Sequence, residues 1–551
     1  MTLLALDRAD SETPHRASGW PSRPESPPET PRAELDRALS ELRDGAEGWS
    51  RVSLADRRAI LRELVRDYLA VSEAWADAGR RAEGLPEGEP VSGEEWLSGP
   101  YMVIRNLRLL DRSLEDMEAS GKPRIPGPVR ELDDGRASAQ VFPHDLWDRI
   151  LYSGVKAEVW MQDGIGPGEL RDTMAVAYAT PADQRDPSPV CLVLGAGNVS
   201  SIGPMDVLYK VFVENRVILL KMHEVNAYLG SLLERGFEAL VDWGALRIVY
   251  GGVEVGKYLC EHQEVDEIHI TGSDRTVEAI VFGVGEKGAR RREERRPKNT
   301  RPISSELGNV SPVIVVPGPW SARDFAYHGE NLASMLVNNA GFNCNAARVV
   351  VQHESWSGRA ELWSRLEAAV RKVPTRRAFY PGAHDRYRSF VEAHPEALEI
   401  GPVDSVRPED ELPWALIPDV PDSVDEICFR EEAFCGVLSE TGLEAEGPAD
   451  FLDRAVRFCN ERLWGTLNAT ILIHPASRRD PEVGAAFDRA LRELRYGTIA
   501  VNGWAAVGYG LVITPWGAPP GHDIYDIQSG VGVVHNTLMF DRVEKTIVET
   551  P

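Results

Sequence analysis

The stretch "LVLGAGNVSSIGP" (residues 192–204) decides the fold, because an apolar run ends there in a glycine-rich turn. Its glycines, Gly195, Gly197 and Gly203, do not make the G-x-G-x-x-G fingerprint, and glycine is common at such turns for backbone reasons alone. Similar apolar runs follow in "RVILLKM", "LRIVYGG" and "EIHITGS", with helical stretches between them. This alternation predicts an α/β fold with a parallel sheet built from strand–helix–strand units.

Two further strand ends carry residues suited to a nucleotide. "VILLKMHE" ends with Lys221 and Glu224, which can hydrogen-bond a ribose. "IHITGSDRT" places Gly272 and Ser273 at the start of a helix, where free backbone N–H groups can hold a phosphate. Each end alone is more often structural, but three such ends in one parallel sheet predict a nucleotide cleft.

The bulk composition excludes several classes of protein. A chain of 551 residues with 43% apolar side chains should hold two or three globular domains. Its net charge of −25 argues against nucleic acid or an anionic membrane as a partner. Six cysteines without a C-x-x-C pair argue against zinc-ribbon and thioredoxin-like sites, and no metal site is predicted. We find no signal peptide and no 18-residue apolar run, so the sequence predicts a cytoplasmic protein.

Composition and the spacing of apolar residues divide the chain into several regions. Residues 1–32 are rich in Pro, Ser and Glu, which predicts a disordered tail. From about 33 to 120 apolar residues recur at three- and four-residue intervals, which predicts helices. Residues 150–180 hold two short extended runs around a Gly/Pro turn. A second alternating region runs from about 310 to 495 and predicts a second α/β domain.

Seven elements, in order and spacing, resemble the aldehyde dehydrogenase superfamily from about residue 35 onward. "KMHE" matches the family's K-P-S-E, "ITGS" its F-T-G-S, and "ELGNV" (306–310) its E-L-G-G-K. "GFNCNAARVVV" matches the segment that carries the family's cysteine, and "REEAFCGVLS" matches E-E-x-F-G-P-V. "GTIAVNGWAA" matches G-x-x-x-V-N, while "TPWGAPPG" stands in for P-F-G-G-x-K-x-S-G.

The resemblance implies a three-part fold: a Rossmann-type nucleotide domain, an α/β catalytic domain and a small β oligomerisation element. The nucleotide domain is expected at 33–306, with an extended oligomerisation hairpin at 150–180, and the catalytic domain at 307–496. Residues 497–551 are expected to return to the nucleotide domain and end in an oligomerisation strand. A homodimer or homotetramer is expected, because unpaired strand edges promote aggregation unless a second subunit covers them.

The resemblance also implies NAD(P)-dependent oxidation of an aldehyde to a carboxylic acid. Cys344 is the expected nucleophile, which forms a thiohemiacetal and then a thioester. Glu306 matches the general base, and the Cys344 backbone N–H with the amide of Asn198 would bind the oxyanion. The alternatives at these positions are an inert buried thiol and an ion-paired carboxylate.

The cofactor contacts follow from the same matches. Lys221 and Glu224 would bracket the adenosine ribose, and Gly272 with Ser273 the pyrophosphate. Glu432 and Phe434 would contact the nicotinamide ribose and ring. A carboxylate such as Glu224 accepts a 2′-hydroxyl but repels a 2′-phosphate, which favours NAD over NADP.

Several departures mark a divergent branch and leave alternatives open. "GAGNV" replaces P-W-N-F-P, "GFNC" lacks the glutamine two residues before the cysteine, and "FCGV" replaces F-G-P-V. The segments "NN…CNAA" and "GAGNV" are also similar to the acyl-CoA-reducing branch, which releases the thioester to coenzyme A. That branch commonly lacks the E-L-G-G glutamate, so the retained Glu306 favours hydrolysis. A catalytically inactive NAD-binding relative is the third alternative.

A basic insertion, "EKGARRREERRPKNTR" (286–301), precedes Glu306. Its eight Lys and Arg residues could hold a 2′-phosphate, an acyl-CoA phosphate or nucleic acid. Because its charges are interspersed with Glu, a solvated loop is the favoured interpretation.

Overall fold

The computed structural model describes residues 20–401 and 411–551, which form a mixed α/β fold around two large sheets. The predicted fold class is confirmed. Within the described residues, no helix combines the length and the apolar character needed to cross a membrane.

Helices dominate the N-terminal region, as the apolar spacing predicts. The helix α2 begins at Ser53, whose side chain accepts the N–H of Asp56, and ends at Gly84 in a left-handed conformation. The elements before residue 162 are α1 (Arg32–Ser50), α2 (Leu54–Glu83), α3 (Gly93–Trp96), α4 (Met102–Ser120), β1 (Val129–Glu131), β2 (Ala137–Phe142), α5 (Leu146–Leu151) and β3 (Lys156–Met161).

The described part of the predicted tail is held against the fold. Residues 1–19 lie outside the described residues. Further on, the Arg23 guanidinium donates to the Phe379 carbonyl at 2.9 Å. Thr30 exchanges two hydrogen bonds with Tyr250, one through its side chain. Composition predicts disorder over 1–32, but these long-range hydrogen bonds anchor residues 20–31 instead.

The first sheet has six strands in the order β19-β8-β7-β4-β5-β6, and β4 to β8 are mutually parallel. Strand β4 is buried along almost its whole length, as expected where helices cover both faces of a parallel sheet. The elements from residue 190 to 307 are β4 (Val190–Leu194), α6 (Ile202–Leu208), β5 (Val217–Lys221), α7 (Gly230–Gly236), α8 (Glu238–Asp242), β6 (Leu246–Val249), α9 (Val253–Glu261), β7 (Glu267–Gly272), α10 (Asp274–Val281), α11 (Gly285–Glu293) and β8 (Ile303–Leu307).

The second sheet has eleven strands in the order β1-β2-β3-β21-β17-β16-β9-β10-β15-β14-β12. Its central strands, from β21 to β14, are parallel. The elements from residue 311 to 501 are β9 (Ser311–Val315), α12 (Ala322–Val337), β10 (Ala347–His353), α13 (Arg359–Val370), β11 (Arg376–Arg377), α14 (Ala383–Ala393), β12 (Leu398–Ile400), β13 (Glu411–Leu412), β14 (Trp414–Ile417), α15 (Ile427–Arg430), β15 (Val437–Leu443), α16 (Pro448–Arg462), β16 (Asn468–Leu472), α17 (Pro475–Arg479), α18 (Pro481–Glu493) and β17 (Thr498–Val501).

The C-terminal region is shared between the two sheets. Strand β19 pairs antiparallel with β8 of the first sheet, while β17 and β21 belong to the second. The expected return of 497–551 to the first domain therefore holds for only part of that range. The elements are α19 (Ala506–Gly510), β18 (Pro515–Gly517), β19 (Gly530–Val531), β20 (Val533–His535) and β21 (Val543–Glu549).

The segments expected to project for oligomerisation have a place in the second sheet. Strand β21 runs between β17 and β3 of its own chain, and β3 pairs with β2. The second predicted extended run instead forms a 3₁₀ turn at Val176–Tyr178. Pairing partners far apart in sequence cannot be read from local alternation, which is why the sequence alone gives these strands no place in a sheet.

Candidate active site

A cavity of about 900 Å³ opens at the carboxyl ends of β4, β5, β7 and β8. This is the edge at which open parallel sheets bind ligands. All nine residues predicted for the site line this cavity: Asn198, Lys221, Glu224, Gly272, Ser273, Glu306, Cys344, Glu432 and Phe434. The structure thus brings the predicted residues together, although their roles stay predictions.

Cys344 lies in a tight turn between α12 and β10. The turn begins with three consecutive residues of positive φ: Asn339 at 51°, Ala340 at 53° and Gly341 at 79°. Non-glycine residues rarely adopt this conformation, and it persists only where the surroundings enforce it. The thiol itself is half-buried and faces the cavity.

Buried Arg348 stabilises this turn through hydrogen bonds to backbone carbonyls. Its guanidinium donates to the carbonyls of Gly341 at 2.7 Å, Asn343 at 3.3 Å and Cys435 at 2.6 Å. One cation thereby ties the turn of Cys344 to the segment that follows Glu432. Arg348 is not among the residues predicted from the sequence, where its only signal is its place four residues after the cysteine.

Glu306 stands at the end of β8 with only 2% of its surface exposed. Burial, and next the carboxyl of Asp206, raise the pKa of Glu306 to about 8. Burial, and next Glu306 itself, also raise the pKa of the Cys344 thiol. Both groups are therefore held mainly in their protonated forms at neutral pH, and each ionises more easily once the other is neutral.

Asn198 follows β4 and turns its amide toward the cysteine turn. Its Nδ2 donates to the Phe342 carbonyl at 2.9 Å, and the amide of Asn339 donates to the Asn198 carbonyl at 2.8 Å. An amide nitrogen carries two hydrogens, so one remains for another acceptor in the cavity.

The side of the cavity toward β5 and β7 carries the polar residues expected for a ribose and phosphates. Lys221 is the last residue of β5, and burial lowers its pKa while the nearby Glu224 raises it. Ser273 begins α10, where its side chain accepts the N–H of Thr276 at 3.3 Å. The first backbone N–H groups of α10 lie at the same mouth of the cavity.

Glu432 packs against the backbone of Gly308, directly after the "EL" of β8. A Cβ at Gly308 would lie 1.9 Å from the Glu432 carboxylate, so only glycine permits this contact. Burial raises the pKa of Glu432 to about 8, opposed by Arg348 and Arg386.

An aromatic wall, of which only Phe434 is predicted from the sequence, lines the cavity. Tyr380 contacts Phe342, Phe434 and His223 with ring centroids 5.9, 5.0 and 5.9 Å apart. Arg386 lies over Phe434 at 5.8 Å. These residues come from distant segments, so spacing in the sequence could not group them.

Residues 286–293 of the basic insertion belong to the helix α11, and residues 294–301 form a turn and a loop. Several of its cations pair with acids, for example Arg292 with Glu278 at 2.8 Å. Only Lys298 of this segment lines the cavity, and it pairs with Glu261. The favoured interpretation as a solvated segment agrees with these pairs.

One cluster of metal-ligating residue types lies outside the cavity. Donor atoms of His394, Glu426 and Cys428 lie within 4.8 Å of one another. The imidazole contacts Glu396 and Glu426 at 2.9 Å each, so hydrogen bonds already account for both of its nitrogens.

Comparisons with known proteins point to one family. A sequence profile described as "Aldehyde dehydrogenase family" matches residues 169–385. The 4-trimethylaminobutyraldehyde dehydrogenase of Bos taurus is 29% identical over 174 residues, 31% of this chain and 32% of that enzyme. The chain thus spans about a third of the length of such curated relatives. A protein of Streptomyces coelicolor named "Probable aldehyde dehydrogenase" is 23% identical over 93% of this chain and 86% of its own length.

Solved structures of this fold cover nearly the whole chain. Aldehyde dehydrogenase 21 from Physcomitrella patens, in complex with the reaction product succinate, has a TM-score of 0.64 and 15% identity over 97% of this chain and 95% of its own. The NADP-dependent glyceraldehyde-3-phosphate dehydrogenase of Bacillus halodurans C-125, complexed with NADP, has a TM-score of 0.62 and 17% identity, with 95% and 92% covered. These structures show that the chain has the fold of the aldehyde dehydrogenases, and the profile match shows that residues 169–385 are similar in sequence to that family.

Proposed function

We propose that this protein oxidises an aldehyde to a carboxylic acid, with NAD or NADP as the acceptor. One observation carries the proposal: the thiol of Cys344 and the carboxyl of Glu306 share one cavity and are close enough to shift each other's pKa. A nucleophile beside a base of this kind is the arrangement that covalent catalysis needs.

The nucleotide half of the cavity fits NAD or NADP. Lys221 and Glu224 would hold the adenosine ribose, and Gly272 with Ser273 the phosphates at the start of α10. Glu432 and Phe434 would lie at the nicotinamide end. When bound, the cofactor supplies the acceptor for the hydride that the tetrahedral carbon loses. Glu224 favours NAD.

The chemistry of the remaining steps belongs to the chain's own residues. The Cys344 thiolate adds to the aldehyde carbon and forms a thiohemiacetal, whose oxygen is bound by the Cys344 N–H and the Asn198 amide. Oxidation converts this adduct to a thioester. Glu306 then takes a proton from the water that attacks the thioester, the C–S bond breaks, and the carboxylic acid leaves.

Glu306→Gln separates hydrolysis from transfer to coenzyme A. If water is the acceptor, the variant should release a burst of NADH equal to the sites and then turn over slowly, because deacylation lacks its base. The measurement is stopped-flow absorbance over aliphatic, aromatic and semialdehyde substrates, with and without coenzyme A.

The response to coenzyme A decides between hydrolysis and the acylating alternative. If it raises wild-type turnover strongly and acyl-CoA is the main product, the acylating alternative replaces hydrolysis. If the protein binds NAD but no aldehyde in the panel yields NADH, the inactive relative is the correct interpretation.

We also propose a homodimer or homotetramer. The helix α5 exposes four large apolar side chains, Leu146, Trp147, Ile150 and Leu151, each between 58 and 68% accessible. A contiguous apolar patch of this kind is typical of an interface.

A further inference from the structure

The turn before Cys344 is hydrogen-bonded at its first strained residue to a distant helix. The backbone N–H of Asn339, which has a φ of 51°, donates to Oε2 of Glu94 at 3.2 Å. Glu94 belongs to α3, 245 residues earlier in the chain. Asn339 is buried, and a buried N–H that loses its acceptor costs free energy. The contact with Glu94 therefore stabilises the turn where its backbone is least favourable.

Arg376 holds the Glu94 carboxylate in place. Its Nη1 donates to the same Oε2 atom at 2.9 Å, and its Nη2 donates to Glu83 of α2 at 3.4 Å. The Arg376 side chain is 9% exposed and that of Glu94 is 23% exposed, so solvent and salt screen this pair only in part. A single carboxylate oxygen thus accepts both a guanidinium and the backbone N–H of the turn.

Two further carboxyl groups lie near this cation. Glu83 and Glu95 are both buried. Burial, and next the charge of Glu95, raise the pKa of Glu83, and burial raises the pKa of Glu95 to about 7. Because these two groups retain a proton near neutral pH, the charge of Arg376 is balanced mainly by Glu94.

Asn339 connects this ion pair to both predicted oxyanion donors. Its side-chain amide donates to the Asn198 carbonyl at 2.8 Å and to Oδ1 of Asn343, the residue before Cys344, at 3.2 Å. Its own carbonyl accepts the N–H of Phe342 at 2.9 Å. One residue thereby joins the segment of Asn198 to the turn that presents Cys344.

We propose that Glu94, held by Arg376, is a positioning residue that keeps the Cys344 thiol and the Asn198 amide in their reactive arrangement. This inference rests on the proposed function, in which both groups act on the aldehyde. Neither Glu94 nor Arg376 is among the described residues that line the cavity, so they act through Asn339 and not on the substrate. The turn needs such a restraint, because three consecutive residues of positive φ persist only where the surroundings enforce them.

Three variants test the proposal. Glu94→Ala removes the acceptor of the Asn339 N–H. Glu94→Gln is the conservative variant, because its amide oxygen can still accept this N–H although it no longer balances the charge of Arg376. Glu87→Ala is the matched control, since it removes an exposed carboxylate from the turn between α2 and α3.

The first readout is alkylation by iodoacetamide in the protein without aldehyde or cofactor, followed by mass spectrometry of the cysteine peptides. Cys344 is half-buried, whereas the other five cysteines are buried. Without its acceptor the turn should open more often, so Glu94→Ala should increase the alkylation rate of Cys344 by about threefold to tenfold. The five buried cysteines should react no faster than in the wild type.

The second readout is steady-state kinetics with an aldehyde that the wild type oxidises. In Glu94→Ala, kcat should fall by about tenfold to a hundredfold, because a small displacement of the nucleophile or of an oxyanion donor slows the chemical step. KM for NAD should stay within about twofold of the wild-type value, since the nucleotide half of the cavity is unchanged. Glu94→Gln should recover most of the lost kcat, and Glu87→Ala should change neither readout.

The outcomes separate this proposal from the proposed function. Unchanged alkylation of Cys344 or an unchanged kcat in Glu94→Ala would overturn the positioning role, and so would a Glu94→Gln variant as slow as Glu94→Ala. Faster alkylation of all six cysteines with a lower melting temperature would indicate general unfolding and would also overturn it. If the wild type oxidises no aldehyde, the proposed function fails, yet alkylation still decides whether Glu94 restrains the turn.

Discussion

At Cys344, a raised thiol pKa means that the nucleophile must be deprotonated at the moment it is used. Thiolate, not thiol, attacks a carbonyl carbon. The thiol lies beside Glu306, whose own pKa is raised to about 8. Two acidic groups so close ionise as a pair, and the second ionisation is suppressed while the first charge is present. The site is thus suited to passing one proton between sulfur and carboxyl.

Replacing Cys344 should separate chemistry from binding. In Cys344→Ala we expect aldehyde oxidation to fall by several orders of magnitude, because no covalent adduct can form. NAD affinity, measured by fluorescence titration, should stay near the wild-type value. The control is Cys459→Ala, a buried thiol outside the cavity, which should keep its activity. Substantial turnover in Cys344→Ala would refute the assignment of the nucleophile.

The raised pKa of Glu306 predicts the pH dependence of turnover. A general base accepts a proton only when ionised, so activity should be lost as the pH falls through about 8 and reach its plateau above that value. The measurement is kcat against pH under saturating aldehyde and NAD. A plateau that extends unchanged to pH 5 would contradict Glu306 as the limiting base.

At the scale of elements, the turn before Cys344 combines backbone strain with close contact. Gly341 has a φ of 79°, and a Cβ there would lie 2.7 Å from the Cys435 carbonyl. Gly341→Ala should therefore destabilise the fold by about 1–3 kcal/mol and reduce activity, since the turn must move. Gly168→Ala is the matched control, because nothing lies within 4 Å of its Cβ and its φ is ordinary. Equal melting temperatures for the two variants would contradict this account.

The end of β5 should set the choice of cofactor. Glu224 lines the cavity three residues after Lys221. Replacing its carboxylate in Glu224→Ser removes the repulsion of a 2′-phosphate, so kcat/KM for NADP should rise relative to NAD. The control is Glu254→Ser, a carboxylate at the same mouth of the cavity. An unchanged NADP to NAD ratio in Glu224→Ser would remove Glu224 from the ribose site.

The sequence predicts the strands of the first sheet well, since continuous apolar runs such as that of β4 have few alternatives to a buried strand. Six of the nine predicted site residues share one cavity because they lie at the carboxyl ends of β4, β5, β7 and β8, and parallel strands end at one edge. The other three, Cys344, Glu432 and Phe434, reach the cavity from the segments that precede β10 and β15. Arg348, Tyr380 and Glu94 escaped prediction. Each acts through a contact made far along the chain, and a single polar or aromatic residue carries no signal of its partner.

At the scale of the whole molecule, β21 makes the C-terminal region part of the second sheet. It pairs on both sides within its own chain, with β17 and β3, and so completes the second sheet. Deleting residues 543–551 would leave two strand edges unpaired inside one chain. The expected result is loss of folded protein, by circular dichroism and solubility, rather than release of folded monomers. A folded, soluble truncated chain would contradict the internal pairing.

Assembly should depend on α5 instead. Its four exposed apolar side chains lie on a short helix between β2 and β3. Exposing such an apolar surface to water costs free energy, which a subunit contact would remove. Light scattering at micromolar concentration should give the wild type a mass that is a multiple of 60.9 kDa. The double variant Trp147→Glu with Leu151→Glu should return the mass to that of one chain, because charges would be buried in the contact. Val424→Glu alters a single exposed apolar residue elsewhere and should leave the assembly intact. A wild-type mass of one chain would refute the oligomer, and an intact oligomer in the double variant would place its interface away from α5.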